Sequence, residues 1–305
     1  MGKVYKFQKI ENNGVPHIEN FSLAKGLVLN MLSELASRRL IYGAKVFGSV
    51  AKGTPNERSD FDLVVVTEGE VEVAYPLLKK IFNEVLFRTK VDIEPVLIAK
   101  EFAGTGQHTI DSLYLNHIKS VANDGNIAGN NPVNILTPYD SSPTEVHQRY
   151  VDSKIRSLSE RYFSDSQDDK YMVFQRALEA PVNTGRRVLQ VLPLLGCKIE
   201  VGDDGKQAVI DAFRNTFKDT ELMTGFNFLL EQDKGYTSFL KDTMAGRVSK
   251  NNYENYIDTI GARCILKAIK WESEINRNYR TLLEGKHKLQ EGNISFHYRG
   301  KESLG

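Results

Sequence analysis

Residues 47–66 constrain this chain more than any other stretch. They read Phe47-Gly48-Ser49-Val50-Ala51-Lys52-Gly53-Thr54-Pro55-Asn56-Glu57-Arg58-Ser59-Asp60-Phe61-Asp62-Leu63-Val64-Val65-Val66. A Gly-Ser turn follows a short apolar run, and further on two aspartates one residue apart open a strongly β-prone segment. Successive side chains on a strand face opposite ways, so Asp60 and Asp62 share one face while Phe61 and Leu63 turn into a core. Two carboxylates roughly 7 Å apart along one strand repel each other unless a cation lies between them. Mg²⁺ suits such a pair, because it takes one or two carboxylates and completes its shell with water and substrate phosphate. Gly48 has no Cβ to keep a phosphate off the backbone, and the Ser49 hydroxyl and nearby amides can donate to it. An isolated Asp-X-Asp is most often a solvated turn; here its position behind the Gly-Ser turn predicts a joint seat for triphosphate and metal.

The pattern resembles that of the nucleotidyltransferase superfamily, which includes DNA polymerase β, minimal nucleotidyltransferases and antibiotic-modifying nucleotidyltransferases. Phe47, Gly48, Ser49, Gly53, Ser59, Asp60, Asp62 and Leu63 meet its motif in order. The resemblance implies an α+β fold, with an N-terminal polymerase β-like mixed sheet and its helices followed by a C-terminal α-helical bundle. It also implies a third carboxylate on a later strand, where Val91-Asp92-Ile93-Glu94-Pro95-Val96-Leu97-Ile98 stands. Asp92 and Glu94 share a face, so spacing does not choose between them. Lys90-Val91-Asp92-Ile93 looks more like the minimal members, which makes Asp92 the expected acid and Glu94 its reserve.

The implied activity is of the EC 2.7.7 type: two Mg²⁺ ions, about 3.5–4 Å apart, held by Asp60, Asp62 and Asp92. Gly48, Ser49, Lys52, Arg58 and Ser59 are the expected nucleotide contacts, although Lys52 and Arg58 read equally as plain loop charges. The expected reaction moves AMP from ATP to a hydroxyl of a small molecule such as an antibiotic, with release of pyrophosphate. Toxin-like relatives modify tRNA or protein instead, and an inactive nucleotide-binding or interaction protein is the alternative from another class. Helix-borne Glu145, Glu160 and Glu179 are candidates to meet an acceptor's amines, and Arg149, Arg156 and Arg161 to face nucleotide or RNA; all six also read as solvated helix faces. Arg280 and His287 resemble faintly the Arg/His motif of helical partners in toxin systems. His108 and His117 have no second ligand at useful spacing and read as packing or loop residues.

The rest of the chain follows this organisation. Residues 1–138 read as the catalytic domain, 139–284 as the bundle and 285–305 as a polar tail. Residues 1–21 suggest a lead-in with one edge strand at most. Ser22 is the predicted cap of a helix with Leu23, Leu27, Val28, Met31, Leu32 and Leu35 inward. Strands are predicted at 44–47, 61–67 and 90–98, and helices from Pro76 to Phe87 and over 112–121. Ser142-Pro143-Thr144-Glu145 is a capping box with proline at the first helical position, which starts a helix toward Phe163. Helices follow around 168–192, 206–218, 221–232 and 251–283, with Pro181 expected to break or kink the first.

A net charge of +1 argues against a dedicated nucleic-acid surface and favours a small acceptor over tRNA. The sequence has no apolar run long enough to span a bilayer, and Met1-Gly2-Lys3-Val4-Tyr5-Lys6 lacks the apolar core of a signal peptide, so the expected setting is cytoplasmic, without a membrane partner. A homodimer is compatible with this reading. Cys197 and Cys264 have no metal or redox spacing and read as ordinary thiols.

Overall fold

The computed structural model describes residues 2–121, 125–139, 142–162, 167–197, 199, 205–218 and 220–286. Its contacts divide the chain into two compact units: Met1–Val146 with Gly235–Thr259, and His147–Lys234 with the residues from Ile260 on. In the first unit the order is α1 (Phe7–Glu11), α2 (Ile18–Ser37), β1 (Ile41–Val46), α3 (Gly48–Ala51), β2 (Leu63–Thr67), α4 (Val71–Thr89), β3 (Val96–Ala99), α5 (Lys100–Ala103), α6 (Ser112–Lys119) and β4 (Ile127–Gly129). Then come α7 (Pro143–Tyr162), α8 (Gln167–Val191), α9 (Lys206–Thr216), α10 (Thr220–Met244), α11 (Lys250–Tyr256), a π-helical turn at Ile257–Gly261 and α12 (Ala262–Lys286). The fold is α+β, with an N-terminal mixed sheet and a helical second half.

The four strands run in the order β3-β2-β1-β4, with β1 antiparallel to β2 and β4 and β3 parallel to β2. Every residue of β2 is buried, because both faces of the sheet are covered. Leu63 and Val65 pack with Val28 and Leu32 of α2 and Leu78 and Val85 of α4. Val64 and Val66 face the other way, toward Phe47, Ile98, Leu115 and Ile118. A continuous apolar run of this kind is what a strand buried on both faces requires. In the second unit α8 packs on α9 and α12, around Phe213 stacked on Phe226 at 4.3 Å and Trp271 at 5.8 Å from Phe213. Gly225 makes room for that indole, since a Cβ there would lie 2.9 Å from its Cδ1.

Several local expectations are corrected. The lead-in is structured: α1 lies within it, Val4 and Tyr5 are buried, and Gly2 bridges to Ser59. α2 begins at Ile18 rather than after Ser22, since Phe21 and Ala24 extend the buried face upstream, and Leu23 is left exposed. α4 starts at Val71, which puts Pro76 inside the helix, and its buried residues are Ala74, Leu78, Val85 and Thr89, with Leu77 outside. α8 continues through Pro181, held by the burial of Ala177, Leu178, Ala180 and Val182 around it. The Gly48-Ser49 turn is the start of a one-turn helix. α7 does begin at Pro143, with the Ser142 carbonyl accepting from Val146 N at 3.1 Å. Phe163, His287 and the tail beyond Lys286 lie outside the described residues. No described helix is long and apolar enough to cross a membrane.

Candidate active site

The site forms where β1 ends. Phe47 is extended, and its N–H donates to the Asp62 carbonyl at 3.0 Å, tying the end of β1 to the segment that leads into β2. Gly48 then takes φ +68°, a conformation open to glycine at no steric cost. A Cβ at Gly48 would stand 2.0 Å from Asp62 Oδ2, so this carboxylate lies directly against the Gly48 backbone. Ser49 follows in α3 with its Oγ buried and without a hydrogen-bond partner among the described residues. Buried hydroxyls almost always have partners. A close carboxylate and an unsatisfied hydroxyl beside a left-handed glycine suit a phosphate with its counter-ion.

The register brings the other acids alongside. Phe61 bridges Ile93 in parallel, and both are buried in the core shared with Leu63 and Val65. Asp60 and Asp62 flank Phe61 and Asp92 and Glu94 flank Ile93, so all four project from the opposite face. Asp60, Asp62 and Asp92 are half-buried and Glu94 is exposed. Among the described residues, no three acids, histidines or cysteines close into a ready metal cage. Asp60 and Asp62 nonetheless fit Mg²⁺, which needs only one or two carboxylates when phosphate and water supply the rest. Asp92 is already engaged: Lys3 Nζ lies 3.5 Å from its Oδ2 and 3.9 Å from Glu94 Oε1.

The remaining nucleotide candidates are placed differently from one another. Lys52 is half-buried at the C-terminal end of α3, its N–H on the Gly48 carbonyl at 3.2 Å. Ser59 is buried, and its hydroxyl accepts from Asn56 N at 2.8 Å. Arg58 is also buried. Its guanidinium donates to Lys3 O at 3.0 Å, Gly2 O at 2.9 Å and Thr237 Oγ1 at 2.9 Å, and stacks 4.7 Å over the Tyr236 ring. Arg58 thus clasps the N-terminal segment rather than reaching toward Ser49.

Sequence reasoning missed the partners of that clasp. Tyr5 N donates to Tyr236 Oη at 2.9 Å, the Tyr236 and Tyr253 hydroxyls are 2.8 Å apart, and Tyr253 donates to Tyr5 O. The Tyr5 hydroxyl donates to Glu57 O at 2.8 Å. Burial, then the neighbouring Tyr236 and Asp60, push its phenol far above the usual range. Lys45, buried on β1, donates to Val121 O at 3.2 Å, and burial pushes its ammonium down. Each of these contacts joins residues distant in sequence, so no local motif marks them.

The helix-borne candidates stand on α7, α8 and α12. Glu145, Glu160, Arg149 and Arg156 are exposed along α7. Glu179 accepts from Gln175 at 3.0 Å, Arg161 reaches Met172 Sδ at 3.0 Å, and Arg280 pairs with Asp152 at 3.2 Å. His117 packs its ring edge-on to Phe47 at 5.7 Å, and His108 Nδ1 accepts from Ile110 N at 3.2 Å.

Residues 28–117 match the family model described as a nucleotidyltransferase domain. The match opens within α2 and closes within α6, so it contains β1, Gly48, Ser49, both aspartates of β2's approach, Asp92 and Glu94. No curated protein matches the chain.

Proposed function

We propose, for a chain whose residues 28–117 form a nucleotidyltransferase domain of the polymerase β-like superfamily, that it transfers AMP from ATP to a hydroxyl of a small acceptor with the help of Mg²⁺. The acceptor oxygen forms a bond to the α-phosphorus, and the bond from that phosphorus to the β-bridging oxygen breaks. Pyrophosphate leaves with the electron pair, and the hydroxyl proton passes to the acid face of the sheet, where Asp92 and Glu94 stand. Such reactions need positioning and charge neutralisation more than covalent help. Asp60 and Asp62 would hold the ion, which when bound offsets charge on the triphosphate and on the leaving pyrophosphate. Gly48 and Ser49 bind phosphate: the glycine by close approach, the serine by donating its unsatisfied hydroxyl. Ser59 and Arg58 fix the turn that aims Asp60.

The observation that carries this reading is the contact of the Asp62 carboxylate with the Gly48 backbone, beside a buried Ser49 Oγ that has no hydrogen-bond partner among the described residues. The net charge of +1 supports a small acceptor, because a protein surface that binds tRNA is ordinarily basic. Incubation with labelled ATP, CTP, GTP or UTP, Mg²⁺ and separate pools of aminoglycosides, lincosamides, bulk tRNA or the protein itself tests it. Label from ATP on a small-molecule pool is the expected result. Label on tRNA or protein overturns the acceptor class. A nucleotide-dependent rise in melting temperature with no labelled product replaces the enzyme with a binding module.

A further inference from the structure

The acid face of the sheet already carries a cation of the chain's own. Lys3 Nζ lies between Asp92, at 3.5 Å, and Glu94, at 3.9 Å. Its side chain is 17% exposed, against 39% for Asp92 and 83% for Glu94. This is not the loose pairing of two surface side chains, because the backbone that carries Lys3 is fastened on both sides. Lys3 N donates to Arg58 O at 2.6 Å, and Arg58 returns bonds to Lys3 O and Gly2 O. Gly2 bridges Ser59, the residue before Asp60. On the other side both backbone groups of Tyr5 are held by Tyr236 and Tyr253. Lys9, half-buried over the Tyr5 ring, adds a second ammonium nearby; burial pushes it down, while Asp92 and then Glu94 hold it up.

We propose that the Lys3 ammonium is the built-in counter-ion of Asp92, so that the site takes a single divalent ion, at Asp60 and Asp62, together with the triphosphate. This rests on the nucleotidyltransferase reading of the site above. Three acids beside a triphosphate need positive charge, and a second divalent ion is one way to supply it. Here a lysine held within ion-pair distance of the third acid supplies that charge instead. Lysine suits the role because its ammonium is a compact point charge on a flexible stem. Lys3 acts through Asp92 and is therefore a positioning residue.

Counting ions tests this without turnover. The full chain, in excess over a nonhydrolysable ATP analogue, is titrated with Mn²⁺, and the free ion is followed by its paramagnetic resonance signal. The expected result is one Mn²⁺ per bound analogue for the wild type and for Lys3→Arg, and two for Lys3→Met and Lys3→Gln. Two ions in the wild type, or an unchanged count in folded Lys3→Met and Lys3→Gln, overturns the role of Lys3. Asp60→Asn with Asp62→Asn should reduce ion binding by the analogue complex to that of the analogue in solution. Ion binding that survives this change overturns the reading of the site itself, a result separate from any outcome at Lys3.

Discussion

Arg58 in the first unit and His147 and Glu272 in the second are buried in opposite ways. In the first, the Arg58 guanidinium is solvated by protein: its donors meet two carbonyls and a hydroxyl and its plane meets an aromatic face. Lys45 in the same unit at least retains the Val121 carbonyl. In the second unit, the buried His147 has no hydrogen-bond partner for either ring nitrogen among the described residues, and Glu272 has one carboxyl oxygen on Thr184 and the other unsatisfied. Burial there pushes the imidazole down to about 3 and the carboxyl up to about 7. An arginine cannot shed its proton and must be solvated by protein; a histidine or glutamate escapes the cost of burial by becoming neutral. Arg58 is therefore held as a fixed charge, while His147 and Glu272 are hidden as neutral groups; the buried Asp233 of the second unit follows Arg58, with Lys206 at 2.5 Å.

The sharpest break of this contrast is at the acids that the first unit leaves half-open. Asp60→Asn with Asp62→Asn should lower nucleotidyl transfer by roughly a thousandfold or more. The melting temperature should hold or rise, since two like charges are removed and active sites trade stability for function. Rate and melting curve measured on one preparation decide it: wild-type turnover by the variant removes both aspartates from the reaction.

Arg58→Met removes a fixed charge from the interior of the first unit. It leaves Gly2 O, Lys3 O and Thr237 Oγ1 without their donor, and the expected loss is roughly 3 kcal/mol or more, from bonds to a charged group. Arg58→Lys should recover little of it, because one ammonium cannot reproduce the planar fork. Urea titration gives the loss, and faster amide exchange over residues 2–5 should accompany it. A variant as stable as the wild type would make the clasp ornamental.

The second unit should instead betray its neutral groups through pH. His147 is depressed in the fold, so its contribution is complete above its ordinary value of 6.5 and is lost as pH falls toward 3. Glu272 is raised, so its contribution is complete below its ordinary value of 4.5 and is lost as pH rises through 7. The two trends oppose each other between 4.5 and 6.5. His147→Phe should leave only the loss on raising pH, and Glu272→Gln only the loss on lowering it, each a few kcal/mol at its extreme. Thermal melts from pH 4 to pH 8 check both; parallel curves for wild type and variants would place both groups in contact with water.

How much of the fold and the site is legible in the sequence follows from the range of each contact. The run Leu63–Val66 and the spacing of Asp60 and Asp62 are local, and strand periodicity alone marks both. The capping box at Ser142 is equally local, and α7 starts where it points. The expected face of α2 differs from the buried one by a fraction of a turn because Leu23 and Phe21 compete for the same pattern, and only the sheet beneath decides which of them is buried. Lys3 and Asp92, or Arg58 and Thr237, are tied by the path of the whole chain. Nothing in Gly235–Thr259 hints that it belongs with the sheet, since its helices look like those before and after it.

That returning segment holds the N-terminal residues through a closed ring of hydrogen bonds, which gives the smallest and most specific prediction. Tyr5 N can only donate and Tyr5 O can only accept, so the direction is set: Tyr5 N to Tyr236, Tyr236 to Tyr253, and Tyr253 to Tyr5 O. Tyr253→Phe leaves the Tyr5 carbonyl unsatisfied and takes the acceptor from Tyr236, for about 1–2 kcal/mol. Tyr236→Phe strands the Tyr5 amide at a similar cost. Because each change breaks the same ring, the double variant should lose less than the two single losses together, by on the order of 1 kcal/mol. A double-mutant cycle in urea measures that difference, and strict additivity would mean that the two tyrosines hold Tyr5 independently.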